Sequence, residues 1–294
     1  MLTPDRRVFL QSSAALATLG AAGNLLADDV QDSGVDFAFG LVTYMWGADW
    51  DVPTLIENCK KTGLRGVELR TTHAHKVEPT LSAKERDEVR ARFTDSGVTL
   101  VGLGSNEKFD YVDSAMLRKA IERSKEFLKL SHDVGSTGVK VKPDSFPAGV
   151  PHEKTIAQIG KSLEELGEYA EGLGQQVRLE VHGTCQELPT IQAIMEAANH
   201  PSVMVCWNSN PTDLKGDGLE KNFARVKAKF GDTLHVHELE SKEYPYDQLF
   251  RLLAAAKYAG WVLLEAATKQ EDRIAALKQQ KALFDKLVAG TAKK

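Results

Sequence analysis

The sequence predicts a single (β/α)₈ barrel, and three observations carry that expectation. Eight short β-rich runs alternate with longer amphipathic segments at spacings of roughly thirty residues, as an eight-fold βα repeat requires. Glycines punctuate the joins at Gly63, Gly97, Gly135, Gly174 and Gly260, where a left-handed cap would end a helix before the next strand. No low-complexity linker or composition shift divides residues 34–290, so this stretch reads as one domain.

The strands are expected at Phe37–Thr43, Gly66–Arg70, Thr99–Leu103, Gly138–Lys142, Val177–Val181, Val203–Trp207, Thr233–His237 and Trp261–Glu265. Between them, Ile156, Ile159, Leu163, Leu166, Ala170 and Leu173 step by three and four, the signature of one helix face packed on the outside of the barrel. A doubly wound open sheet would need a glycine-rich phosphate fingerprint after the first strand, and Thr43-Tyr44-Met45-Trp46-Gly47 is not one.

The first residues have a different character. Arg6-Arg7-Val8-Phe9-Leu10, an uncharged stretch from Ser12 to Ala27 and the acidic pair Asp28-Asp29 have the layout of a twin-arginine export signal over residues 1–27. This predicts a periplasmic or extracellular location, with cleavage after Ala27 although Leu25 stands where a small residue is preferred. The stretch lacks the ~20 strongly apolar residues that a membrane span needs, so no stable insertion of the mature chain is expected.

Of the 294 residues, 42% are hydrophobic and 27% charged, enough apolar material for one large core. The net charge of −4 gives no global positive field for a nucleic-acid backbone or an anionic membrane, and favours a small neutral or weakly polar substrate. Cys59, Cys185 and Cys206 are an odd number without metal-type spacing and define no disulfide framework, leaving open one incidental bridge between Cys185 and Cys206.

In a barrel strand, alternate side chains face the helices and the interior. Parity then sends inward Glu68 and Arg70 on the second strand, Lys140 and Lys142 on the fourth, and Arg178, Glu180 and His182 on the fifth. It does the same for Asn208 on the sixth, His235 and His237 on the seventh, and Glu265 on the eighth. So many ionisable groups are costly to bury unless they pair or bind a metal, and their concentration at strand C-termini marks a site. Glu68, Arg70, Arg178, Lys140 and His235 are expected deeper, where mutually neutralising pairs that fill the barrel are an alternative reading. His73 and His75, in the loop after the second strand, are candidates for substrate contact, whereas His132, His152 and His200 are assigned structural places.

Leu179-Glu180-Val181-His182-Gly183, Val205-Cys206-Trp207-Asn208, His235-Val236-His237 and Leu264-Glu265 resemble the metal-bearing strand ends of the xylose isomerase-like sugar isomerase/epimerase family. Gly66-Val67-Glu68-Leu69 and Gly260-Trp261-Val262-Leu263-Leu264-Glu265 fit it as well. The resemblance implies one divalent cation (Mn²⁺, Mg²⁺, Co²⁺ or Zn²⁺) held by Glu180, Asn208, His237 and Glu265. Asn208 is the departure, because family members commonly carry Asp-x-x-His where this chain reads Asn208-Ser209-Asn210-Pro211. Asn still offers a carbonyl oxygen, but the cation would be held less tightly and stay a stronger Lewis acid.

The implied chemistry is abstraction of a proton next to a sugar carbonyl, with Glu180 and Glu265 as acid and base and Lys142 and His182 near the developing oxyanion. The same enolate can expel a substituent, giving a lyase or hydratase of 3-keto sugars or ketoglycosides as the alternative. A metal-free carbohydrate-binding barrel is the reading from a different class. Metal-dependent repair of abasic DNA is disfavoured by the sequence pI of about 6.1.

Overall fold

The computed structural model describes residues 35–292. The expected export signal over residues 1–27 lies outside this range. Among the described residues, no helix is long and apolar enough to cross a membrane.

Eight strands alternate with eight helices. The strands are β1 (Ala38–Val42), β2 (Gly66–Arg70), β3 (Thr99–Lys108), β4 (Gly138–Lys142), β5 (Gln176–Glu180), β6 (Val203–Cys206), β7 (Thr233–Val236) and β8 (Trp261–Leu264). The helices are α1 (Val52–Thr62), α2 (Ala83–Ser96), α3 (Ser114–Asp133), α4 (His152–Glu171), α5 (Leu188–Ala198), α6 (Gly218–Val226), α7 (Tyr246–Ala255) and α8 (Arg273–Thr291). All paired strands run parallel in the order β6-β5-β4-β3-β2-β1-β8-β7, and parallel bridges Val205↔Phe230 and Asn208↔His235 bring the two edges together. The product is a nearly closed (β/α)₈ barrel, as the strand spacing predicts.

Local signals place the helices. Asp51 accepts from the Thr54 N–H at the start of α1, and Ser82 and Glu85 form a reciprocal capping box on α2. Gly63, Gly97, Gly135 and Gly174 take positive φ at the joins. Gly260 does not. Its neighbour Lys257 takes the positive φ of 51° instead, and Gly260 is required because a Cβ there would collide with the Tyr258 hydroxyl and the Asp232 carbonyl. On α4, Ile159, Leu163, Leu166 and Ala170 are fully buried, which is the face the periodicity marks.

The main apolar core lies between the sheet and the helix ring, while Val42, Val101 and Leu263 form a separate small plug inside the barrel. The rest of the interior is polar. Arg178, wholly buried, donates to Gln176 Oε1 (2.9 Å), the Val101 carbonyl (3.0 Å) and Thr137 Oγ1 (2.5 Å), and pairs with Asp232 at 3.1 Å. These partners satisfy its donors from several strands, so Arg178 is a structural cross-brace. Cys59, Cys185 and Cys206 are buried free thiols, so the bridge left open between Cys185 and Cys206 does not form.

Candidate active site

The inward parity of β2, β4, β5, β7 and β8 delivers a cluster of charges to the middle of the barrel. Lys140 on β4 donates to Glu180 Oε2 on β5 at 2.8 Å, both side chains being 1% exposed. His235 on β7 stands between three carboxylates. Its Nε2 is 3.2 Å from Glu68 Oε1, and its Nδ1 is 3.3 Å from Glu180 Oε1 and 3.6 Å from Glu265 Oε2.

β3 makes room for this cluster by presenting glycine. A Cβ on Gly104 would stand 3.0 Å from Glu68 Oε1 and 3.5 Å from Lys140 Cε, while one on Gly102 would stand 3.0 Å from Arg178 Nη1. The third strand therefore contributes backbone, and its neighbours' long side chains fill the space.

Electrostatics follow from this packing. Burial drives Glu180 toward its neutral form, but the Lys140 ammonium and His235 overcome it and hold the carboxyl well below the ordinary range. Lys140 shows the converse. Burial alone would depress it, yet Glu180, Glu265 and Glu68 raise it. His235 is raised well above the usual imidazole value because, against burial, the Cys206 sulfur and the surrounding carboxylates favour its cation. Glu265 is lowered, its burial and the Glu180 charge being outweighed by His235 and Lys140.

Glu180, His235 and Glu265 offer ligand atoms that all lie within 4.8 Å of one another, a buried group that could bind a metal ion. Two ligands on a cation at Zn-like bond lengths are separated by about 3.3 Å in a tetrahedral site, close to the 3.3 and 3.6 Å separations at His235 Nδ1. Asn208, 4% exposed, donates its amide to Glu180 Oε1 at 3.4 Å, and its buried Oδ1 lacks a hydrogen-bond partner. That orphaned oxygen is the acceptor a cation would satisfy. Glu68 behind His235 completes a carboxylate–imidazole pair of the kind that orients a metal-ligating histidine. The donor set thus fits a divalent cation.

The structure distributes the sequence candidates unequally. Glu180, Asn208 and Glu265 come together, but the imidazole among them is His235; His237 Nδ1 is 3.1 Å from the Glu265 backbone carbonyl instead. The reason is register, since the parallel bridge sets Asn208 beside His235. Lys142 and His182 border the mouth on the β4–β5 side, with His182 Nδ1 3.2 Å from Asp144 Oδ1. Burial lowers both, and Lys140 adds to the effect. His73 is half-buried over Thr43, with Nδ1 and Oγ1 3.3 Å apart. His75 is engaged at both ring nitrogens. It is buried, its Nε2 donates to the Arg70 carbonyl at 2.7 Å and its Nδ1 accepts from the Val77 N–H at 3.0 Å, so it ties down its own loop. Arg70 lies at the rim, not among the deeper pairs. Asn106 lies beyond the strand end that the sequence predicts, because β3 runs on past Leu103 to Lys108 through a register shift. The polar run Ser105-Asn106-Glu107-Lys108 was its only sequence signal.

Beside His237 opens a cleft of about 400 Å³, lined in part by Glu238, Tyr244, Tyr246 and Thr268. Its size suits a small ligand.

The charged interior of this parallel barrel converges at the C-terminal strand ends, the face on which barrels of this architecture build their sites. A family profile described as xylose isomerase-like TIM barrel matches residues 56–287, and the chain belongs to that family. No curated protein sequence matches it. Among solved structures it resembles the 3-keto-D-glucoside 4-epimerase of E. coli, with TM-score 0.72 and 15% identity over 84% of this chain and 98% of that one. An L-ribulose 3-epimerase aligns with TM-score 0.74 and 14% identity over 86% and 94% of the two chains. The IOLI protein with a bound zinc atom gives TM-score 0.72 and 15% identity over 88% and 100%.

Proposed function

We propose that the protein is a divalent-metal-dependent sugar isomerase or epimerase that removes a proton from a carbon next to a carbonyl. The observation that carries this reading is the convergence of Glu180, His235 and Glu265 beside the unpartnered Asn208 Oδ1. A cation held there supplies Lewis-acid polarisation of the substrate carbonyl and hydroxyl, which acidifies the C–H between them.

The remaining work falls to the chain. Glu265, with its side chain 11% exposed against 1% for Glu180, is the carboxylate that substrate reaches first and is assigned as the base. Glu180, kept ionised by Lys140, is the second acid/base group and keeps its Oε1 directed at His235 and Asn208. Lys142, His182 and His73 orient the substrate's oxygens at the mouth. The low exposure of the cluster restricts water around the developing charge.

The test is metal analysis of the purified protein together with solvent-deuterium incorporation into a panel of ketoses and 3-keto sugars. Bound divalent metal and exchange are expected, with Glu180→Gln and Glu265→Gln each slowing exchange by about 100-fold or more. Exchange that persists in both variants would remove the mechanism. Exchange with loss of a leaving group would turn it into elimination.

A further inference from the structure

We propose that the substrate carries a carboxylate, received by Arg70 and Lys142 at the C-terminal ends of β2 and β4. This rests on the proposed function for the position of the reacting carbon, but not for the charge of the ligand. Arg70 ends β2, Lys142 ends β4, and both converge on Asn106 from β3. Arg70 Nη2 donates to Asn106 Oδ1 at 3.1 Å, and Lys142 Nζ is 3.5 Å from the same atom.

Other cations of the interior and mouth are matched: Lys140 by Glu180, Arg178 by Asp232 and Lys108 by Asp144. Among the described residues, neither Arg70 nor Lys142 makes an ion pair with a carboxylate. Arg70 Nε is also buried without an acceptor. Two cations directed at one neutral oxygen on the exposed Asn106 repel each other, and an incoming anion relieves the repulsion.

The two groups are also held in position. The Arg70 guanidinium lies 4.7 Å from the centre of the Tyr44 ring, which fixes its plane. The loops that follow each strand contain non-glycine residues in left-handed backbone, Thr72 at φ 68° and Asp144 at φ 63°. Glu78 accepts from Thr72 N at 2.6 Å and Thr71 Oγ1 at 2.9 Å, while Lys108 holds Asp144 at 2.7 Å. A planar guanidinium fork matches a carboxylate, and all three groups here are side chains rather than the array of backbone N–H groups that cradles phosphate. Thus a chain of net charge −4 presents two cations without a carboxylate ion-pair partner at this edge of the mouth. The substrate class is a sugar acid, its anionic end on Arg70 and Lys142 and its reacting carbon toward Glu265.

Calorimetric titration of the metal-loaded protein with D-glucuronate, D-glucose 6-phosphate and D-glucose tests this, since the three differ only at one end. Glucuronate is expected to bind at least about tenfold more tightly than glucose, a difference of about 1.4 kcal/mol. Arg70→Met and Lys142→Met should each bring the glucuronate-to-glucose affinity ratio to about one while leaving the circular dichroism spectrum in place, glucose binding itself being retained in Arg70→Met, and Arg70→Lys should restore part of the ratio. Failure of glucuronate to bind, equal binding of all three, or a preference that survives both variants overturns the proposal. Tighter binding of the phosphate ester overturns the choice of carboxylate. Glucuronate preference without deuterium exchange into any sugar would leave this inference standing and remove the proposed reaction; exchange into neutral ketoses without glucuronate preference would do the reverse.

Discussion

Lys140 is the residue on which the buried charges most depend. Its ammonium is the fully buried partner of Glu180, and Glu68 and Glu265 also lean on it. Lys140→Met would leave those carboxylates facing His235 alone. Removing one member of a buried pair costs about 3–5 kcal/mol, so urea unfolding of the metal-free variant should show a loss of that order, partly recovered when Mn²⁺ is added. The two histidines of β7 make opposite predictions for metal content. His235→Gln should lose the metal, because both ring nitrogens of His235 face carboxylates, whereas His237→Gln should retain it, because His237 Nδ1 is engaged by the Glu265 backbone. Glu68→Gln should weaken affinity by about 10–100-fold, the usual cost of removing the partner that orients a ligating imidazole. Metal titration of the three variants decides it; loss in His237→Gln with retention in His235→Gln reverses the assignment.

At the scale of elements, the β6–α6 and β7–α7 loops are clamped together by one carboxyl. Asp213 Oδ2 accepts from the Tyr244 hydroxyl at 2.7 Å and the Asn210 N–H at 2.9 Å, and burial pushes its pKa up to about 8 although both donors oppose the shift. With the folded value above the unfolded one, the native state binds more protons between those two values. Stability is therefore highest below the unfolded pKa and falls as pH rises through about 8. Denaturant unfolding at pH 5 and pH 8 should show that fall in the parent and a smaller one in Asp213→Asn. The same elements show what the sequence discloses. Strand positions and inward parity were legible because both are properties of a single strand, which is why Glu180, Asn208 and Glu265 could be named together. That His235 rather than His237 stands beside Glu180 and Glu265 depends on the register between β6 and β7, which neither strand carries alone. Asn106 was hidden by the shift that prolongs β3, and the role of His75 depends on a loop conformation with no periodic signal.

Across the whole molecule, the β6–β7 boundary is the seam of the barrel. Seven strand pairs form ladders, while this one has isolated bridges and the hydrogen bonds Gly231 N–H to Val205 O (3.0 Å) and His235 N–H to Trp207 O (2.7 Å). Outside it, the rings of Trp207, Phe223 and Phe230 pack edge to face with centroids 5.2–5.9 Å apart. The candidate ligands come from β5, the end of β6, β7 and the end of β8, so a bound cation would bridge the seam from inside. Hydrogen exchange should accordingly accelerate over residues 203–210 and 230–237 on chelation, with β2–β4 little changed; uniform acceleration would count against the seam. The glycines of β3 carry a different consequence, one of mutational history. Because Cβ atoms at Gly102 and Gly104 would stand 3.0 Å from Arg178 Nη1 and Glu68 Oε1 respectively, a side chain at either position requires the charge opposite it to give way. The order of substitution is biased: a change at Glu68 or Arg178 opens these two glycines to replacement more readily than the reverse.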